Sequence, residues 1–372
     1  MSEWKECQLG DLITFQRGHD LPKTKMQGGK YPVVGSNGII GYHNEYTTEA
    51  PSITIGRSGN VGKPFLFKGR SWSHNTSLYI KEYKAVDPIF IYYFLQTLDL
   101  GNYAGGSAVP TLNRNHIHTL NVYVPTNIEE QRRIGAVLSV IDDKIELNTA
   151  INENLEQQAQ ALYRQMFVNA DDNQSATIAD ISLNITDGVH NTVKDDPDGS
   201  YLLLSCKNIK GGSLNIGSSE RHINKETFDK LRKRTQLAKG DILISSVGTI
   251  GEILMLNTEP TYYEFQRSVA MIKPDTELVS PAYVYESLLY KKAELINAAH
   301  GAVQQCLFIS DISEFPIDIP SKVKLDIFNT AVIPMFEIIT ANNEENQRLA
   351  ALRDTLLPKL MNGEIDVSAV QI

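Results

Sequence analysis

Two stretches of the chain carry apolar positions in alternating steps of four and three residues. The first runs Ile134, Leu138, Ile141, Ile145, Asn148, Asn152, Leu155, Ala159, Leu162, Met166. The second runs Phe328, Val332, Met335, Ile339, Asn342, Asn346, Leu349, Arg353, Leu356, Leu360. This is a heptad pattern, which predicts a long helix whose apolar seam needs a partner helix. Every position of the second set is the first plus 194. An asparagine in such a seam lowers stability but fixes register and partner choice, so Asn148, Asn152, Asn342 and Asn346 are read as helix-seam register residues. If the two helices pair with each other they form an intramolecular coiled coil, and a helix over residues 128–167 is about 60 Å long at roughly 1.5 Å per residue. Pro334 falls inside the second pattern and predicts a kink or restart there.

The regions ahead of the two helices also correspond. Leu9-Gly10-Asp11-Leu12-Ile13 matches Ile178-Ala179-Asp180-Ile181-Ser182, and Val122-Tyr123-Val124-Pro125 matches Ile317-Asp318-Ile319-Pro320. Between them, Ile53-Thr54-Ile55 followed by Gly59-Asn60-Val61-Gly62 matches Ile242-Leu243-Ile244 followed by Gly248-Thr249-Ile250-Gly251. Both regions read as short strands with Gly-rich turns and a shorter helix near 88–99 and 281–298. The offset grows from 169 at Asp11/Asp180 to 189 at Ile53/Ile242, so the second copy has gained about 20 residues between Leu204 and Ile242. The predicted fold class is α+β, a pseudo-twofold internal repeat of two globular domains separated by two long helices. The expected segments are 1–125, 126–170, 171–320 and 321–372.

Charge narrows the function. The net charge of −9 argues against a protein that simply coats nucleic acid. Its distribution is uneven: residues 1–125 hold 12 Lys/Arg against 9 Asp/Glu, and residues 207–239 hold 9 against 3. The second window is largely the insertion, with Lys225, Lys230, Arg232, Lys233 and Arg234. A shared scaffold with a divergent basic insertion suggests two similar domains reading different ligands. Cys7, Cys206 and Cys306 are odd in number and far apart, which opposes a disulfide framework or a zinc site. With no apolar run of about 18 residues and a polar stretch from Met1 to Asp11, a cytoplasmic protein without a membrane span is expected.

Several local stretches resemble the specificity subunit of type I restriction–modification systems. They are Tyr31-Pro32-Val33-Val34-Gly35-Ser36-Asn37-Gly38-Ile39-Ile40-Gly41-Tyr42, Ile53 through Gly62, Pro125 through Ile134, and Leu356 through Ile365. The resemblance covers nearly the whole chain, including the order domain, helix, domain, helix. It implies that each globular domain is a target recognition domain reading one half of a bipartite, asymmetric site on double-stranded DNA. It also implies that the helices set the number of unread base pairs and dock two methyltransferase subunits, with restriction and motor functions on separate subunits. S-adenosylmethionine is then expected in the methyltransferase partner, with no cofactor and no catalytic residue in this chain. The sequence departs from the family at Ser321-Lys322-Val323-Lys324-Leu325, which lacks the Glu129-Glu130-Gln131-Arg132-Arg133 run, so unequal methyltransferase contacts are expected.

Enzymatic readings fail on residues. Gly56-Arg57-Ser58-Gly59-Asn60-Val61-Gly62-Lys63 resembles a phosphate-binding P-loop, but its second Gly is one position late and Pro64 replaces the Mg²⁺-binding Ser/Thr. No Asn/Asp-Pro-Pro-aromatic motif is present, and His116 and His118 form only an isolated His-x-His, read as structural or exposed rather than metal-binding. For DNA contact the best-suited residues lie on turns, where Arg and Lys can read guanine and Asn and Gln adenine. In the first domain these are Ser36, Asn37, Arg57, Asn60, Lys63, His74, Asn75 and Arg114. In the second they are Lys207, Asn208, Lys233, Arg234, Ser246, Thr249, Gln266, Arg267, Gln304 and Gln305. The alternative is a coiled-coil adaptor whose domains bind protein. It accounts for the heptads and the acidic charge but not for the basic insertion.

Overall fold

A computed structural model describes residues 3–106, 110–168, 174–217, 219–301 and 305–370. Two compact units divide it: residues 1–147 with 345–372, and residues 148–344.

In unit one a four-stranded antiparallel sheet runs in the order Ile13–Arg17, Ser77–Tyr83, Ser52–Gly56, Pro64–Phe67. Beside it lies a three-stranded sheet, Gly38–His43, Tyr31–Gly35, Trp72–Ser73, whose last pair is parallel. Trp4–Gln8 pairs antiparallel with Asn121–Pro125, the strand that leads into the first long helix. The helix Pro88–Gln96 starts at Asp87, whose carboxylate accepts the N–H groups of Ile89 and Phe90, satisfying donors that a helix start leaves open. Unit two repeats this plan. Its four-stranded sheet is Ser182–Asp187, Val269–Pro274, Ile242–Ser245, Ile253–Met255. Its three-stranded sheet is Arg221–Ile223, Tyr201–Leu204, Tyr263–Phe265, again with one parallel pair.

The long helices are Ile128–Phe167 and Lys322–Met361, 40 residues each, and both boundaries differ by the same 194 as the heptad positions. Within each unit the helices pair antiparallel. In unit two Asn342 Nδ2 donates to Asn152 Oδ1 at 2.8 Å, Asn152 Nδ2 donates to Asn343 Oδ1 at 2.9 Å, and the Phe167 and Phe328 rings meet at 5.2 Å. In unit one Arg353 donates to Asp142 at 2.8 Å and Lys144 pairs with Glu345 at 3.2 Å. Asn148 and Asn152 are buried, and Asn342 and Asn346 are half-buried. Asn343, outside the predicted seam, joins the polar layer.

Three expectations change. The linear segments 126–170 and 321–372 are not separate bodies, because each helix is shared between the units. Ile134 and Leu138 complete the apolar core of unit one, whereas Ala159, Tyr163 and Phe167 complete that of unit two. Residues 169–173, across one expected boundary, lie outside the described residues. Pro334 does not restart its helix, which is continuous from Lys322 to Met361. Pro334 is exposed, so water can serve the carbonyl that loses its intrahelical partner. Finally, Arg353 occupies a seam position as an ion-pair partner rather than as an apolar knob.

Candidate nucleic-acid interface

Strand length and turn chemistry bring four segments of unit one to one place. Ser36 and Asn37 close the hairpin between Tyr31–Gly35 and Gly38–His43. Residues 57–63 close the next hairpin, where Gly62 N–H donates to Gly56 O at 2.8 Å and Gly56 N–H to Lys63 O at 3.1 Å. His74, Asn75 and Thr76 form the turn into Ser77–Tyr83, with Ser77 N–H donating to His74 O at 2.9 Å.

Thr76 ties these turns together. Its carbonyl accepts Arg57 N–H at 2.8 Å, and its hydroxyl accepts Ser36 N–H at 3.3 Å and lies 3.0 Å from His74 Nδ1. Leu112 N–H donates to Arg57 O at 2.8 Å, which draws in the segment carrying Arg114. Gly59 holds φ +85, and a Cβ there would stand 3.2 Å from Ser36 Oγ, so a side chain would be strained and crowded. Seven of the eight first-domain candidates therefore belong to one crown of turns, and Arg114 opens the helix Arg114–His118 that follows Leu112. Asn37, Asn60, Lys63 and Arg114 are exposed; Ser36, Arg57, His74 and Asn75 are half-buried. The Asn75 amide is engaged by Asp20.

Unit two builds the same knot from other side chains. Ser246 N–H donates to Ser268 O at 2.9 Å, Cys206 N–H to Ser268 Oγ at 3.1 Å, and Leu307 N–H to Ser246 O at 2.9 Å. By these bonds Ser246 stands for Arg57, Ser268 for Thr76 and Cys206 for Ser36. Gln266 and Arg267 then correspond to His74 and Asn75. Gln266 and the exposed Thr249, Arg267 and Gln305 remain accessible. Gln266, Ser205 and Lys207 line a polar cavity of about 320 Å³ with Glu220 and Arg221.

The other second-domain candidates divide. Asn208 is buried and unavailable to a ligand: its Nδ2 donates to Asn215 O at 2.8 Å and its Oδ1 accepts Ser205 N–H at 2.9 Å. Ser246 is also buried, its hydroxyl aimed at Arg267 O. Lys207 pairs with Glu220 at 3.0 Å, and the Arg234 guanidinium donates to the carbonyls of Asp187 and Gly188. Lys233 is exposed. Gln304 lies outside the described residues.

The basic insertion is partly structural. It forms the helix Lys225–Thr235, in which Arg232 binds the buried Glu264 and the carbonyl of Tyr263 at 2.9 Å, while Phe228 stacks on Tyr201 at 4.2 Å. Thr76 and Ser268 escaped the sequence reading, although aligning His74-Asn75-Thr76-Ser77 with Gln266-Arg267-Ser268-Val269 exposes them.

His118 serves the fold. Its Nε2 accepts Phe15 N–H at 2.9 Å, and burial pushes its imidazole below the ordinary value. Among the described residues no group of three or more His, Cys, Asp or Glu side chains could hold a metal ion, and no helix is long and apolar enough to cross a membrane.

Comparison with known proteins matches the chain twice, over residues 1–157 and 189–345, to the type I restriction modification DNA specificity domain. The chain is 27% identical over 312 residues to the MjaIX specificity subunit of Methanocaldococcus jannaschii, covering 75% of this chain and 69% of that one. It is 26% identical over 337 residues to the HindI specificity subunit of Haemophilus influenzae, covering 69% and 71%. In fold it is similar to the S subunit of a type I restriction–modification system from M. genitalium, with a TM-score of 0.66 and 17% identity over 96% of each chain.

Proposed function

The chain belongs to the type I restriction modification DNA specificity family, and from that premise we propose that its two crowns of turns read the two halves of a bipartite, asymmetric DNA site. It is a specificity subunit, a non-catalytic component of its system.

The observation that carries the reading is the repeated knot. The same backbone bonds recur around Thr76 and Ser268, while the side chains presented beside them differ: His74 against Gln266 and Asn75 against Arg267. A conserved frame with exchanged donors and acceptors is what two readers of different base sequences require, because base edges differ in their hydrogen-bonding patterns and phosphates do not. The paired helices then set the number of unread base pairs and dock two methyltransferase subunits. Those subunits bring S-adenosylmethionine, and restriction and motor subunits are directed to the same site.

Genome-wide adenine methylation tests this in a host expressing the chain with its methyltransferase and in one lacking only the chain. A two-part methylated motif that disappears without the chain is expected. A motif that persists without it, or none in either host, moves the reading to the protein-binding adaptor.

A further inference from the structure

The turn at residues 57–63 carries two cations, Arg57 and Lys63. Lys63 is exposed, its Nζ 5.8 Å from the Phe65 ring centroid. Arg57 is half-buried, and its backbone is locked on both sides by Thr76 and Leu112. Among the described residues its guanidinium makes no hydrogen bond or ion pair. Other partly covered arginines do have acceptors: Arg232 on Glu264, Arg353 on Asp142. On a backbone so fixed, and with no protein acceptor among the described residues, the Arg57 guanidinium is available to an anionic ligand. At the tip of the same turn the N–H groups of Gly59 and Asn60 also have no acceptor among the described residues.

The matching turn of unit two shows that these cations are not needed for folding. Ser246 and Glu252 stand at the equivalent positions, and Glu252 is satisfied internally by Lys292 at 2.9 Å and Gly211 N–H at 2.7 Å. The turn keeps its geometry there, with Gly248 and Gly251 at φ +78 and +82 against +85 and +81 for Gly59 and Gly62.

We propose that the turn 57–63 clamps a backbone phosphate of the target duplex, with Arg57 and Lys63 supplying the charge. The inference rests on the reading that the crowns face DNA. A phosphate is favoured over a guanine edge because two cationic side chains and the Gly59 and Asn60 N–H groups gather at this one turn. One arginine saturates the two acceptors of guanine, whereas a phosphate takes a guanidinium, an ammonium and backbone N–H groups together.

The test is the salt dependence of duplex binding, measured by fluorescence anisotropy on the chain in complex with its methyltransferase, with a duplex carrying the mapped motif. Arg57→Ala and Lys63→Ala are each expected to reduce the slope of log affinity against log salt, and the pair together by about 0.9, the contribution of one phosphate. Arg57→Lys should retain the slope, and the methylated motif should keep its sequence in every variant. Lys63→Ala, at an exposed site, carries the test if Arg57→Ala disturbs folding. An unchanged slope with one motif position made degenerate would overturn the proposal, because the guanidinium would then read a base. An unchanged slope and an unchanged motif would also overturn it, since the turn would then not meet DNA. A wild-type complex that binds no duplex would refute the proposed function and this inference with it.

Discussion

Removing the guanidinium of Arg353 is expected to destabilise unit one by about 2 kcal/mol, a value bracketed by two limits. Asp142 accepts Arg353 Nη1–H at 2.8 Å and the Tyr93 hydroxyl at 2.7 Å, and its side chain is 23% exposed against 29% for Arg353. Breaking a fully buried pair costs about 3–5 kcal/mol, because a charge is left uncompensated. A fully exposed pair is worth about 0–1 kcal/mol. With roughly three-quarters of each side chain covered, Arg353→Ala falls between these limits. It leaves Asp142 with Tyr93, whose phenol burial and then the Asp142 carboxylate hold well above its ordinary value, so that it stays a donor.

In a domain of roughly 150–250 residues this predicts a melting temperature lower by about 4–8 °C, read by far-ultraviolet circular dichroism. The second copy indicates a rescue: the positions 194 residues away from Asp142 and Arg353 are Phe336 and Ala159, both buried and apolar. Combining Asp142→Phe with Arg353→Ala should therefore cost less than Arg353→Ala alone. A single variant within about 1 °C of wild type, as for an exposed pair, would refute the reasoning. So would a double variant no better than the single one.

Glu286 is 1% exposed, and burial, opposed by the Gln160 hydrogen bond and reinforced by Glu156, pushes its carboxyl up to about 7. A group raised in the folded state stabilises below its unfolded value and loses that contribution as pH rises through the folded value, here between about 4.5 and about 7. A shift of that size corresponds to about 3 kcal/mol. Glu286→Gln should flatten the fall in melting temperature between acid and mildly alkaline pH and be more stable than wild type at the alkaline end; parallel curves would count against it. Replacing Asn152 and Asn342 together by Leu should raise the melting temperature while loosening helix register, seen as extra products in cysteine cross-linking between the two long helices; a single cross-linked register would assign the asparagines no register role. Removing seven residues, about 10 Å of helix, from each long helix should shorten the unread spacer by about three base pairs with both half-site sequences intact, and a change in a half-site would contradict the role proposed for the helices.

The repeat and both long helices were legible in the chain. Heptad steps, strand alternation and Gly-rich turns are local patterns, written within a few residues of where they act, and the 194-residue offset reappears unchanged in the helix boundaries. The first-domain candidates were also legible as turn residues, since Ser36, Arg57, Asn60 and His74 lie between recognisable strands. What the tertiary structure decided is which of those side chains remain available. Asn208 and Arg57 look equally suited to base contact in the sequence. The fold then buries Asn208 against Ser205 and Asn215 and, among the described residues, leaves the Arg57 guanidinium without a protein acceptor. Likewise Arg232 and Lys233 are neighbours in one basic run, yet Glu264, 32 residues from Arg232, takes up one charge while the other stays in water. Hydrogen-bond acceptors supplied from distant strands have no period in the sequence, so the choice between a structural and a functional cation belongs to the fold.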